Sequence, residues 1–212
     1  MVSEKISQRK YKEDNLILGK TYCSKMKVSN WIKELNSKRK EDFMKSLVIY
    51  FSHTGENYME DGIRNIDKGN TEIVAEEISK IVGADLFKIE TVKEYPYNYH
   101  ECCDVAKEEL ENDIRPEVKN HLSSLDNYDT IYIGGPIWWG HYPCPLFTVL
   151  EGLDFTGKVV MPFSTHEGSG LGSIMEDVHR FCKNATIKDG LAIRGSSAKS
   201  SLEKIEKWCN HD

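Results

Sequence analysis

The 212-residue sequence lacks a long hydrophobic run, because none of its apolar stretches approaches the roughly 20 residues needed to span a bilayer. Its first 20 residues are charged throughout and lack the apolar centre of a secretory signal. From these absences we expect a cytoplasmic protein without a membrane partner. Basic residues are also too few to balance the acidic ones, and the net charge of −6 argues against nucleic acid as a partner.

The sequence contains no CxxC motif, so its cysteines suggest neither a thiol redox pair nor a disulfide framework. The cysteines are Cys23, Cys102, Cys103, Cys144, Cys182 and Cys209. In the cytoplasm we expect them to be reduced thiols. Space filling is the favoured interpretation of Cys144, with a redox-active thiol as the alternative. Cys102 and Cys103 indicate helix packing with one thiol directed outward.

Three segments match a nucleotide-binding or catalytic motif only in part. Residues 152–159 resemble a Walker A loop, yet Val159 stands where Ser or Thr must bind magnesium, and the segment precedes a strand. Residues 168–173 resemble a dinucleotide fingerprint but end in Ser173 instead of glycine. Glu167 occupies a position that a nucleophile elbow around Ser169 would reserve for glycine. These departures argue against a Walker A loop, a dinucleotide fingerprint and a nucleophile elbow in these segments.

Three apolar runs each end in a loop of small and polar residues. These runs are 47–51, 130–133 and 159–163, followed by loops at 52–57, 134–140 and 164–170. If the runs are parallel strands, the three loops emerge at the same carboxyl-terminal edge of one sheet, where open α/β proteins bind ligands. One loop is hydroxyl-rich, one is aromatic and one is glycine-rich, which together indicate a flat, phosphorylated ligand.

Strands and helices alternate from Ser46 onward, which predicts an α/β fold with a doubly wound, five-stranded parallel sheet and helices on both faces. The predicted strands are 47–51, 84–91, 130–133, 158–163 and 191–194. The predicted helices are 71–82, 98–112, 145–150, 171–182 and 199–209. Residues 46–212 therefore form the predicted domain.

Residues 1–45 are rich in Lys and Arg and contain one plausible amphipathic helix, around Asn30–Met44. We interpret them as a basic, partly helical extension that packs on the domain. A partner-binding or dimerising arm is the alternative, and a homodimer is therefore possible.

The first loop has the groups that a phosphate monoester needs at a helix N-terminus, namely hydroxyls and exposed backbone N–H groups. Ser52, Thr54, Gly55 and Asn57 provide them, and residues 58–68 form an excursion before the helix. Asn70 and Thr71 are good N-cap residues that can close the anion site from the other side.

The second and third loops suit the rest of a flat ligand. Exposing both Trp138 and Trp139 at a strand end costs about 1.5–3 kcal/mol each, so a planar aromatic ligand is expected to cover them. The alternative is that both indoles pack into the domain or a dimer interface. The glycines of residues 165–170 permit a close backbone approach to a ligand.

The segments FSHTGEN, GNTEIVAEEI, YDTIYIGGPIWWGHYPCPLFTVLE, FTGKVVMPFSTHEGSGLG and GLAIRG occur in this order over residues 46–195. In this they resemble the flavodoxin-like family of FMN-binding proteins. The resemblance implies FMN as cofactor and three groups of binding residues. The phosphate group comprises Ser52, His53, Thr54, Gly55, Glu56, Asn57, Asn70 and Thr71. The ring group comprises Pro136, Ile137, Trp138, Trp139 and Gly140, and the ribityl or ring-edge group comprises Thr165, His166, Glu167, Gly168 and Gly170. The excursion from Glu56 to Lys68 departs from the simplest flavodoxins.

The resemblance implies a low-potential electron carrier between redox protein partners. A small NAD(P)H-dependent quinone or flavin reductase is the alternative, although the sequence shows no nicotinamide-binding motif, which favours the carrier. Whether the protein is an enzyme therefore stays open. Glu56 and Glu167 are candidate carboxylates near the flavin, but solvated loop charges are the favoured interpretation. A third, remote hypothesis is a zinc site without flavin, formed by His53, His141 and His166, one from each loop.

Overall fold

The structure is a computed structural model that describes residues 45–210. The predicted helix around Asn30–Met44, and all of the predicted extension except Lys45, lie outside the described residues. Within residues 45–210, no helix is long and apolar enough to cross a membrane.

The described residues form eight strands, five α-helices and one 3₁₀ helix, Gly195–Ser200. The strands are β1 (Ser46–Tyr50), β2 (Gly55–Met59), β3 (Gly62–Ile66), β4 (Asp85–Lys88), β5 (Thr130–Pro136), β6 (Val159–His166), β7 (Thr186–Ile187) and β8 (Leu191–Arg194). The α-helices are α1 (Asn70–Val82), α2 (Tyr99–Glu111), α3 (Cys144–Leu150), α4 (Ile174–Phe181) and α5 (Leu202–Cys209).

The main sheet is parallel, with the order β4-β1-β5-β6 and both β7 and β8 next to β6. From β1 the chain passes first to β4 on one side and then to β5 on the other. The loops after β1 and β5 therefore diverge and leave a crevice at the carboxyl-terminal edge, as doubly wound folds do at the point where strand order reverses. The α/β class and the parallel sheet are confirmed.

The predicted count of five strands is wrong for the main sheet, which has six. Strand β7 pairs with Val159 and Val160, whereas β8 pairs with residues 163–166, farther along the same edge of β6. The fifth position of the sheet is thus divided between two short strands. A strand of two residues has too little hydrophobic alternation to be recognised in the sequence.

Side chains of β1 alternate between two apolar layers, because successive residues of a strand point to opposite faces. Leu47 and Ile49 pack in one layer with residues of α3 and α4, such as Leu146 and Val178. Val48 and Tyr50 pack in the other layer with residues of α1 and α5. Helices therefore cover both faces of the sheet, as predicted.

The predicted excursion before the first helix is an antiparallel hairpin, in which β2 pairs with β3. Glu60 and Asp61 form its turn, and Gly62, the first residue of β3, has a φ of 114°, which glycine adopts without strain. The hairpin begins at Gly55, so residues 55–57 of the predicted first loop belong to a second small sheet, whereas residues 52–54 remain a loop.

Several predicted boundaries differ from the structure. Strands β5 and β6 continue in register as far as Pro136 and Thr165, so these two residues are in strands rather than loops. The N-cap of α1 is Gly69, so the prediction that Asn70 and Thr71 are N-cap residues is wrong. The predicted final helix 199–209 begins only at Leu202, after the 3₁₀ turn.

Candidate functional site

A cavity of about 670 Å³ opens at the carboxyl-terminal edge of β1, β5 and β6. Its volume lies in the range that holds small-molecule ligands and cofactors. Most of the predicted site residues line it, from all three loops and the start of α1: Ser52, His53, Glu56, Asn57, Asn70, Thr71, Pro136, Ile137, Trp138, Trp139, Thr165, His166, Glu167 and Gly168.

Four predicted residues do not line this cavity. Thr54 is exposed on the outer side of its loop, and Gly55 is buried at the start of β2. The carbonyl of Gly140 accepts a hydrogen bond from the Ser173 N–H (2.6 Å), and the carbonyl of Gly170 accepts one from the Ser164 hydroxyl (2.8 Å). The two glycines therefore shape their loops through backbone groups.

The first wall of the cavity is the N-terminus of α1. The hydroxyl oxygen of Ser52 accepts a hydrogen bond from the backbone N–H of Glu72 (3.1 Å), which caps the helix in place of the absent side chain of Gly69. A Cβ on Gly69 would lie 2.1 Å from that oxygen, so only glycine permits this approach. The first N–H groups of a helix have no acceptor within it, and together with the helix dipole they favour an anion.

The buried hydroxyls of Thr71 and Thr165 connect this wall to the third loop, since they lie 2.7 Å apart. Glu167 extends the same wall. Its carboxylate accepts hydrogen bonds from the backbone N–H of Ser196 (2.6 Å) and from the Ser196 hydroxyl (3.0 Å). Glu167 is partly exposed, as expected of a loop charge, but its carboxylate also anchors the loop to the 3₁₀ helix.

The second wall is a two-residue turn in which Trp138 and His141 exchange backbone hydrogen bonds of 2.9 and 3.0 Å. The residues between them, Trp139 and Gly140, have φ values of 51° and 89°. Positive φ at both central positions is the geometry of a type I′ turn. The positive φ of Trp139 costs backbone strain of order 1–3 kcal/mol, and such strain is concentrated at functional sites.

The two indoles of this turn have different surroundings. Trp138 is half-buried, with its ring edge-on to Tyr95 (4.9 Å between centroids), Phe51 (5.4 Å) and His53 (5.8 Å).

Trp139 is 52% exposed. Its indole N–H donates to the carbonyl of Cys103 (2.9 Å), and the ammonium of Lys107 lies 5.2 Å from its ring centroid. Trp139 is therefore the more exposed of the two indoles at the cavity.

A further wall, which the sequence did not reveal, consists of the hairpin and α2. It contributes Tyr58, Tyr99, His100, Cys102, Cys103, Asp104 and Ala106, while Ser169 and Gly195 complete the lining elsewhere. Glu56 joins the two elements, because its carboxylate accepts from the Asn98 side-chain amide and from the Tyr99 backbone N–H, both at 2.9 Å. Glu56 is thus a cap of α2, and its interpretation as a solvated charge is wrong. Asn98 signalled the start of α2, but no sequence feature showed where that helix packs.

Two imidazoles in the cavity walls have buried nitrogens without hydrogen-bond partners among residues 45–210, namely Nε2 of His53 and Nδ1 of His166. Burial lowers the pKa of both side chains, which favours their neutral forms. Buried polar atoms are nearly always satisfied, so these nitrogens indicate that polar groups of a ligand complete the site.

The three histidines of the zinc hypothesis do not converge. His141 does not line the cavity, and its Nδ1 lies 2.8 Å from Oδ1 of Asp177. No group of three or more His, Cys, Asp or Glu side chains in the described part of the chain is arranged to hold a metal ion. The hypothesis of a three-histidine site is therefore wrong.

The predictions for Cys144 and for the Cys102-Cys103 pair are confirmed, whereas Cys23 lies outside the described residues. Cys144 is buried, and burial raises the pKa of its thiol to about 12, so it fills space as an unreactive group. Cys102 is buried, whereas its neighbour Cys103 is partly exposed.

Comparisons with known proteins agree with this geometry. The sequence model of the flavodoxin family matches residues 45–211. Flavodoxin 1 of Salmonella typhimurium is 29% identical over 136 residues, which are 62% of this chain and 60% of that protein. The chain thus spans about 60% of the length of the curated relatives that it matches.

Solved structures extend the similarity. A Bacteroides uniformis protein, provisionally described as a flavoprotein, is 29% identical with a TM-score of 0.63, over 78% of this chain and 97% of that one. A Lactobacillus acidophilus flavoprotein in complex with FMN is 20% identical with a TM-score of 0.53, over 76% of this chain and 97% of that one. At that identity the second likeness supports the fold alone.

Proposed function

Because this chain belongs to the flavodoxin family, we propose that it binds FMN in the cavity and carries electrons between redox proteins. The observation that carries the proposal is the juxtaposition, in one cavity, of a capped helix N-terminus and a half-exposed indole. The first suits a phosphate and the second suits a planar ring. The Lactobacillus relative in complex with FMN adds support from the same fold.

The residues present fit the two ends of this cofactor. Ser52, Thr71 and the first N–H groups of α1 would hold the phosphate without a positive side chain. Trp139 and Ile137 would cover the ring, and the unpaired nitrogens of His53 and His166 would meet its polar groups. Bound FMN would supply the redox chemistry, while the chain provides position and electrostatics.

The carrier is favoured over a reductase by the charge of the surface. The chain has a net charge of −6, and three of the exposed residues on α2 beside the cavity wall, Glu101, Asp104 and Glu108, are acidic. Such a surface steers a basic protein partner and repels the phosphates of a nicotinamide cofactor.

The test is to purify the protein, reconstitute it with FMN and titrate it anaerobically with a chemical reductant. We expect a yellow, stoichiometric complex that exchanges electrons with a basic redox protein faster at low ionic strength. Sustained oxidation of NADH or NADPH in the presence of a quinone would favour the reductase. A protein that stays colourless after reconstitution rules out both.

A further inference from the structure

Asp177 is the only acidic side chain that is buried in the described part of the chain, with 6% of it exposed. It lies on α4 and does not line the cavity. A buried carboxylate is costly unless hydrogen bonds compensate for its lost hydration, so its partners indicate what it stabilises.

Both oxygens of Asp177 contact the residues that end the two-tryptophan turn. Oδ2 accepts the backbone N–H of Tyr142 (3.0 Å), and Oδ1 lies 2.8 Å from Nδ1 of His141. Burial raises the pKa of Asp177, while the hydrogen bonds from Tyr142 and His141 oppose that shift. The carboxylate therefore contacts the turn through His141 and Tyr142, which do not line the cavity.

The turn needs such support because its conformation is unfavourable for the residue it presents. Trp139 has a positive φ, and strained residues persist only where the surrounding structure over-determines them. The same end of α4 supplies a second anchor, since the N–H of Ser173 donates to the carbonyl of Gly140. Helix α4 thus fixes the turn at three consecutive residues, 140–142.

We infer that Asp177 is a positioning residue for ring binding, which acts through His141 and Tyr142 to hold Trp139 at the cavity. The inference rests on the proposed function, because the ring in question is that of FMN. Asp177 itself does not contact the cofactor. The turn at residues 138–141, which we call the ring wall, is held by α4, whereas the N-terminus of α1, which we call the phosphate wall, is held by Ser52.

The first experiment needs no cofactor. In the apo-protein, the indole N–H resonance of Trp139, assigned with W139F, reports its hydrogen bond to the Cys103 carbonyl. We expect D177A to shift this resonance and D177N, which keeps the shape and one acceptor oxygen, to restore most of it. E176A is the matched control, because Glu176 precedes Asp177 on the same helix and is exposed. An unshifted resonance in D177A, or an equal shift in E176A, would overturn the inference.

The second experiment compares the affinities for FMN and riboflavin, which lacks the phosphate. If the released turn holds Trp139 in place in only about a tenth of the molecules, the apparent affinity falls about tenfold. We expect D177A to raise both dissociation constants by about that factor and to leave their ratio unchanged. S52A is expected to change the ratio instead, because it affects the phosphate end. If D177A and S52A change the ratio of the two dissociation constants equally, the separation of the two walls is contradicted.

Two further results separate a folding failure of D177A, or a failure of the proposed function, from a failure of the inference. Because D177A leaves two donors without an acceptor and can fail to fold, H141A serves as the second variant, with the same expected indole shift and a smaller rise in both dissociation constants. If the wild-type protein binds neither flavin, the proposed function fails, whereas the indole resonances still decide whether Asp177 positions the turn.

Discussion

The hydroxyl oxygens of Thr71 and Thr165 lie 2.7 Å apart, although 94 positions separate the two residues in the sequence. Thr71 is 2% exposed and Thr165 is 4% exposed. Their hydrogen bond joins the first turn of α1 to the end of β6, so two walls of the cavity share one buried polar contact.

We predict that T71V and T165V each lower the free energy of unfolding by about 1–3 kcal/mol, because each leaves the other hydroxyl buried without its partner. The double variant T71V/T165V should cost less than the sum of the two, since it removes both polar groups. Urea unfolding of the four proteins measures the coupling. Strictly additive effects would show that the two hydroxyls do not depend on each other.

Gly69 is predicted to be intolerant of the smallest side chain. A Cβ there would lie 2.5 Å from the His53 carbonyl oxygen, in addition to its clash with Ser52, so backbone must move. G69A should therefore destabilise the protein by about 1–3 kcal/mol, which exceeds the roughly 0.4–1 kcal/mol that an alanine gains through the unfolded chain. G168A is the control, because a Cβ at Gly168 meets nothing within 4 Å. Chemical denaturation of both variants gives the comparison.

The stability of the protein should fall in mild acid. Burial lowers the pKa of His53 and of His166 in the folded chain, so the unfolded chain binds their protons more readily. Their contribution is then complete above pH of about 6.5 and decreases as the pH falls below that value. We expect the variant H53Q/H166Q to show a flatter profile of unfolding free energy against pH. The variant H121Q, which changes an exposed imidazole, should keep the wild-type profile.

Trp139 should contribute to both FMN binding and stability. W139G relieves backbone strain of order 1–3 kcal/mol but removes an indole hydrogen bond of about 0.5–1.5 kcal/mol and an exposed cation–π contact of about 0.5–1 kcal/mol. Because nearly half of the indole is also buried, we expect W139G to lower the unfolding free energy by about 1–3 kcal/mol and the FMN affinity by at least about tenfold. W139F keeps a ring at the same place and should lose less affinity. A large loss of stability in W139G with unchanged affinity would contradict this assignment.

Local patterns in the sequence were sufficient for the parts of the fold that local chemistry determines. The predicted helices 71–82 and 98–112 and the predicted strand 47–51 each match their element within a residue or two. The three loops were expected at one edge of the sheet because parallel strands place them there, and the structure brings residues of all three around one cavity.

What the sequence did not reveal depends on long-range contacts. The hairpin has a local signal in Asp61-Gly62, but its strands carry little apolar alternation, so the segment resembled a loop. The roles of Glu56, Glu167 and Asp177 follow from donors that are distant in the sequence, namely Tyr99, Ser196 and Tyr142. A carboxylate in a polar loop has the same sequence appearance whether it faces water or caps a remote helix.

The divided outer position of the main sheet limits strand pairing with a second copy of the chain along that edge. An uninterrupted edge strand offers a row of free amide and carbonyl groups that can pair with another copy and start aggregation. Here the row beyond β6 is broken into runs of two and four residues, with Lys188, Asp189 and Gly190 between them. The opposite edge, β4, has only four residues. As far as residues 45–210 define it, neither side of the main sheet therefore presents a long template to a neighbouring chain.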